Sequence, residues 1–302
     1  MNFVKKQDII QKSKKEVKNE RKFKPAYEDR TTLKIFERRG LYMREQDLDL
    51  LRIKLEEIKK MGWIKNQRPG NVGGIGNTLE DLLDIAENNL QLPDFGDWEL
   101  KSQRVATGSL LTLFHSEPKP RNARIVPQIL LPLYGWPHQE AGIRYPANER
   151  SFRQTINAMA YSDRGFTVNV DWKNQCIFIS FNYSMIDERH SHWRDFIKNG
   201  VGTGDICPNP YWTFVDVNKK LSTKLKNLIY VKAETKYVNG EEYFRYNEIE
   251  AYIDPTLDKF LELVEKGEIY VDFDARTGHN HGTKFRIRPI AKNALYQQHI
   301  IV

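Results

Sequence analysis

Two hydrophobic periods share this chain, and neither runs alone for long. Leu48, Leu51, Leu55 and Ile58 recur at steps of three and four within residues 45–61, the spacing of one helix face. Leu79, Leu82, Leu83, Ala86 and Leu90 give a second such stripe. Trp98-Glu99-Leu100-Lys101 instead alternates apolar and polar, the two-residue period of a strand. Further strands are predicted at Ser109–Phe114, Phe166–Val170, Cys176–Phe181, Leu228–Ala233, Tyr243–Tyr246, Ile269–Phe273 and Thr283–Ile287. Asn239-Gly240 between two of these is a hairpin signal. Pro255–Lys266 reads as a helix with Pro at its start and Gly267 just past its end. Such interleaving, with no strict strand–helix–strand repeat, predicts a mixed-sheet α/β or α+β fold.

Breakers divide these segments. Pro69-Gly70-Asn71-Val72-Gly73-Gly74-Ile75-Gly76 is predicted as a loop. Asn77, with Glu80 three residues on, then resembles a capping box opening the next helix. Its glycines do not complete a dinucleotide fingerprint. Residues 116–150, rich in Pro, Gly and Arg, read as a long loop or insertion.

The charge is concentrated at one end. Of the net +7 over 302 residues, residues 1–25 supply +6, with nine Lys and Arg against Asp8, Glu16 and Glu20. That segment reads as an exposed helix or a basic arm suited to phosphates. Two cysteines, Cys176 and Cys207, exclude a disulfide framework and C-x-x-C zinc sites and fit a reduced cytoplasmic setting. There is no apolar run of about 18 residues, so no membrane span is expected. The charged N-terminus carries no signal-peptide core.

Two segments carry chemistry. In Pro93-Asp94-Phe95-Gly96-Asp97-Trp98-Glu99-Leu100-Lys101, Glu99 and Lys101 share one strand face. Asp94 stands at the mouth of that strand. Two carboxylates at one edge make a hard-oxygen site for Mg²⁺. A lysine beside them orients a water for phosphodiester hydrolysis. Asp97, in phase with Glu99, is a rival ligand, and Glu80 a helper from the preceding helix. On these residues alone, a solvent-facing strand edge with an ion pair fits equally well. The second segment runs from Arg276 through His279-Asn280-His281 to Arg286, with five basic and no acidic residues up to Lys292. Arg reads guanine, Asn reads adenine, and His meets either at base edges. A decorated surface loop is the plainer alternative. His190 and His192, beside Trp193, read as surface or core-edge residues.

In order and spacing these motifs resemble the MvaI/BcnI restriction endonucleases, relatives of the mismatch-repair nicking enzyme MutH. The resemblance is densest in Gly74–Leu83, Pro93–Lys101, Ser109–Phe114, Trp212–Lys236 and His279–Ile287, and spans most of 62–302. It implies a PD-(D/E)XK core, a mixed sheet flanked by helices with a DNA-recognition lobe. It also implies Asp94 and Glu99 as Mg²⁺ ligands, Lys101 as catalytic lysine and Glu80 as assisting glutamate. Arg276, His279, Asn280, His281 and Arg286 fall where the family reads bases. Asn280 stands where an acidic residue can occur in the family. The implied organisation is a basic, largely helical extension over 1–60 and an endonuclease domain over 61–302. The catalytic lobe falls mainly in 61–115 and recognition elements mainly in 205–302. The implied activity is type II restriction of double-stranded DNA, leaving 5′-phosphate and 3′-hydroxyl ends, by a cytoplasmic monomer paired with a cognate methyltransferase. A MutH-like nicking enzyme and a DNA-binding module with a degenerate core are the alternatives. Single-strand or RNA binding through the many aromatics is a third.

Overall fold

The structure, a computed structural model, describes residues 47–71, 73–85, 93–105 and 107–302. Asp47–Val302 forms one compact unit. The basic segment 1–25, with Ala86 and Leu90 of the second helical stripe, lies outside the described residues.

In chain order the strands are β1 (Ile64–Lys65), β2 (Trp98–Arg104), β3 (Leu111–His115), β4 (Trp136–Pro137), β5 (Arg150–Ile156), β6 (Arg164–Asp171) and β7 (Cys176–Ile186). They continue with β8 (Tyr211–Thr213), β9 (Asn227–Val238), β10 (Glu241–Pro255), β11 (Ile269–Arg276), β12 (His279–Asn280), β13 (Lys284–Ile287) and β14 (Tyr296–Ile301). They form three sheets. The first runs β1-β10-β9-β2, with β14 also on β10; the second runs β3-β13-β11-β5-β4, with β12 on β11; the third is β6-β7-β8. The first sheet is mixed, because β2 pairs parallel with β9, Glu99 opposite Leu228 and Lys101 opposite Tyr230. Its other pairings are antiparallel, including the β9–β10 hairpin that turns at Asn239-Gly240. The fold is therefore α+β, as the alternating periods predict.

Strand alternation decides what each face of β2 meets. Trp98 and Leu100 pack with Leu51, Leu55 and Ile58 of the 47–60 helix and with Ile75 and Leu79 of the helix Gly74–Leu82. Each such buried side chain contributes about 1.5–3 kcal/mol. Glu99 and Lys101 necessarily point the other way.

Three local expectations change. The helix predicted from Asn77 begins at Gly74, with Gly73 at its cap and no side-chain cap. Asn66 explains the earlier start. A Cβ on Gly74 would come within 2.8 Å of the Asn66 amide, so only glycine admits the Asn66 side chain against the first turn. That amide accepts from the Arg68 N–H and donates to Glu242. Asn77 and Glu80 consequently sit inside the helix. Pro255 closes β10 rather than opening a helix; the helix Leu257–Glu265 is capped by Thr256, which accepts from the Lys259 N–H. Residues 116–150 are not all loop: they include a π-helical turn, Val126–Leu130, running into the short helix Leu131–Tyr134, whose Leu130, Leu131 and Tyr134 are buried.

Candidate active site

The spacing between Asp94 and Glu99 is set by a tight turn. Phe95 and Trp98 exchange both backbone hydrogen bonds, at 2.9 and 2.8 Å, around Gly96-Asp97. Gly96 has φ +55, a region that costs a residue with a Cβ. A Cβ there would also strike the Asp47 carboxylate. Folding back at this turn lays Asp94 alongside the start of β2, where its carboxylate accepts from the Leu100 N–H at 2.8 Å. Asp97 is the exposed tip of the same turn. It lies outside the strand, so the alternation that made it a rival of Glu99 does not reach it.

Glu99 is fully buried. One carboxylate oxygen accepts from Lys101 Nζ and lies 3.4 Å from Lys224 Nζ. The other, Oε2, is buried with no hydrogen-bond partner. Burial pushes the Glu99 carboxyl above its ordinary range; Asp94 adds to the shift, and the Lys101 and Lys224 ammoniums oppose it. The Tyr296 hydroxyl, also buried and without a partner, is pushed up by burial and by the nearby Glu99 charge. An orphaned carboxylate oxygen next to a second carboxylate is a vacancy in hydrogen bonding that suits a hard cation. Among the described residues no group of three or more His, Cys, Asp or Glu side chains is placed to hold a metal. Such a cation would therefore rest on these two carboxylates and on backbone or water oxygens.

Lys101 opens into a cleft of about 480 Å³. The helix Gly74–Leu82 sends Glu80 to its wall, β2 sends Ser102 and Gln103, and β3 and β13 send Thr112, His115 and Arg286. Its mid-helix place frees Glu80 from the capping role and turns it toward the same cleft as Lys101. Gln103 is fixed by donating to the Ser109 carbonyl and accepting from the Tyr230 hydroxyl. The His115 imidazole is held below its ordinary pKa by burial and by Lys284, Lys224 and Lys101.

The predicted base-reading residues divide between two places. Arg286 lines the cleft, donating to the Leu110 carbonyl at 2.8 Å and to Asp272 at 3.4 Å. Arg276, His279 and Asn280 line a neighbouring cavity of about 530 Å³ with Glu117, Arg121 and Arg124. Arg276 is paired with the buried Glu149 at 3.0 Å and stacks on Tyr145. Asn280 donates to Glu117 and accepts from the Gly282 N–H. His279 and His281 are exposed, their rings stacked 6.1 Å apart.

Sequence reasoning missed Lys224, Asp272 and Asp274. Lys224 closes the helix Phe214–Thr223, where nothing separates it from Lys219 and Lys220 until β9 docks on β2. The carboxylates had a signal: in Val271-Asp272-Phe273-Asp274-Ala275-Arg276 every second residue is polar and ends on one face. Asp272 and Asp274 bond Thr155, Arg153, Lys284 and Arg286 there. His190 pairs with Asp163 and Trp193 is buried, as the core-edge reading expects.

Residues 53–296 match the profile of the MvaI/BcnI restriction endonuclease family. The chain belongs to that family. It is a type II restriction endonuclease, a hydrolase of DNA, and the nicking and binding-only alternatives are not favoured. Restriction endonuclease MvaI in complex with its cognate DNA substrate is similar at 28% identity, over 84% of this chain and 97% of that one, with a TM-score of 0.68. MvaI in the absence of DNA is similar at 27% identity over 85% and 97%, with a TM-score of 0.47. No curated protein sequence matches. Enzymes of this family generally need a divalent metal. Among the described residues no helix is long and apolar enough to cross a membrane.

Proposed function

We propose that this endonuclease cuts both strands of double-stranded DNA with Mg²⁺, leaving 5′-phosphate and 3′-hydroxyl ends. The observation that carries the reading is the turn at Gly96-Asp97, which brings Asp94 beside a buried Glu99 whose Oε2 has no partner. Asp94 and Glu99, with the Leu100 carbonyl, would hold the ion. When bound, it neutralises charge on the scissile phosphate and makes water a better nucleophile. Lys101 orients the attacking water and steadies the charge that grows on the phosphoryl oxygens. Lys224 shares the Glu99 carboxylate and, with Lys101, opposes the upward push of burial on it. Glu80 assists from the opposite wall of the cleft.

In this reading Arg286, Arg276, His279, Asn280 and His281 meet base edges from the second sheet, and residues 1–60 precede the endonuclease domain 61–302 and lend it the 47–60 helix that packs on β2. Catalysis is centred in 61–115 and recognition in 205–302. The enzyme works as a monomer in the prokaryotic cytoplasm beside a cognate methyltransferase. The deciding experiment is cleavage of a long, sequenced, unmethylated DNA with Mg²⁺ and again with EDTA. Discrete fragments that need Mg²⁺, with ends that map to one sequence, are expected. Intact or merely nicked DNA in Mg²⁺ would sink the reading.

A further inference from the structure

A second cationic cavity, of about 350 Å³, lies away from the cleft. It borders β4 and β5 and the helix Ser191–Gly200. In the second sheet the cleft is on the β3–β13 side and this cavity on the β4–β5 side. Strands are spaced about 4.8 Å apart, which puts the two edges roughly 19 Å from each other.

Its walls are aromatic and its charges are arginines. The Arg164 guanidinium lies 4.0 Å from the Trp136 ring centroid and 5.0 Å from that of Trp193. Arg150 lies 4.5 Å from that of Phe196. Among the described residues Arg164 makes no ion pair or side-chain hydrogen bond, and its Nη1 is buried without a partner. Arg150 donates one nitrogen to the Gly135 carbonyl and leaves its buried Nε unpartnered. Burial lowers the pKa of both guanidiniums, although both stay charged. Stacking holds the planes of these cations without satisfying their N–H edges. Elsewhere in this chain the arginines Arg104, Arg153, Arg245, Arg276 and Arg286 meet a carboxylate within hydrogen-bonding distance. Arg189 and His190, also on the cavity wall, pair with Asp163; that carboxylate acts on Arg164 through its charge, yet among the described residues no carboxylate bonds Arg150 or Arg164, so two cations there keep unused donors.

We propose that this cavity is a phosphate-binding site, separate from the catalytic cleft, that takes the phosphate of a nucleotide unit on the edges of Arg150 and Arg164. Guanidinium forks match phosphate oxygens in pairs. The half-exposed Phe196 ring offers the attached sugar or base an apolar wall. A cavity of this size is at the small end for ligand sites and suits one nucleotide rather than a longer strand. The phosphate can come from a free nucleotide or from a DNA backbone, and the two sources are separable.

The test uses full-length protein carrying 5-fluorotryptophan, in EDTA so that DNA stays intact. The Trp136 resonance is assigned with Trp136→Phe and followed during titration with inorganic phosphate, with dAMP and with a short duplex. A saturable shift is expected with phosphate and a tighter one with dAMP. Arg164→Gln is expected to weaken dAMP binding about tenfold or more, the worth of one charge-assisted contact. Arg150→Lys, which keeps charge but loses the fork, should weaken it less. Lys101→Ala should leave the titration unchanged. A shift with the duplex alone assigns the phosphate to a DNA backbone and keeps the site. No saturable movement of Trp136 with any of the three probes overturns the proposal. So does a shift that survives Arg164→Gln or disappears in Lys101→Ala.

Discussion

The edge of β2 proposed as catalytic and the polar face of β11 treat charge in opposite ways. On β2 the carboxylates outrun their partners: Glu99 is fully buried, keeps one oxygen unsatisfied, and has Asp94 beside it. On β11 the carboxylates are closed. Asp272 holds Thr155 and Arg286, and Asp274 holds Arg153 at 2.9 Å and Lys284 at 3.4 Å. The first arrangement is costly until a cation arrives. The second keeps several long cationic side chains in register before any base edge does. Under the proposed function, one region is poised to take up a ligand, and the other would exchange internal partners for external ones.

The sharpest way to break this contrast is to remove the open side. Lys101→Ala or Asp94→Ala should lower plasmid cleavage by about a thousandfold or more, within the usual worth of a positioned proton-handling or charge-stabilising group. Specific DNA binding in a gel-shift assay should persist; full activity in either variant would undo the site assignment. Lys224→Ala leaves Glu99 with Lys101 as its remaining cation. Cleavage should fall roughly tenfold, in line with one hydrogen bond to a charged group, and a rate equal to wild type would remove Lys224 from the site.

Gly96→Ala tests the turn that makes the open side possible. Its positive φ and the Asp47 carboxylate above it predict a loss of about 1–2 kcal/mol in denaturant unfolding, with reduced cleavage. Unchanged stability would mean the turn adapts. The smallest effect concerns pH. His115 has its pKa depressed in the fold by burial and neighbouring lysines, whereas in the unfolded chain it titrates near the ordinary value of about 6.5. Protonation therefore favours unfolding. The stability His115 contributes is present above about pH 6.5 and is lost as pH falls through its lower folded value. His115→Gln should flatten that part of the acid limb of thermal stability; an identical limb in variant and wild type would show that the shift is absent.

The sequence disclosed local order better than proximity. Apolar stripes placed the 47–60 helix and alternation placed β2, because each pattern reports one element meeting the core; β6, β7 and β11 also lie where strands are expected. The Asp94, Glu99 and Lys101 trio was legible since one turn and one strand bring it together. Lys224 was not, because it reaches Glu99 only after a parallel pairing across more than a hundred residues. The helix start was misplaced for a related reason. Gly74 looked like a breaker, and its use as a seat for Asn66 depends on a contact that no local period reveals. Arg276 and Arg286 looked alike as basic letters, yet neighbouring carboxylates set them in different cavities.

The parallel pairing of β2 with β9 also governs when the proposed centre can first assemble. The residues around Glu99 come from near position 100, from Lys224 and from Tyr296. A chain still on the ribosome that has exposed only its first half holds the carboxylates and Lys101 but not the strand that anchors them. Such nascent chains lack the strand and the ammonium that frame Glu99, so the proposed centre forms only after β9 has emerged.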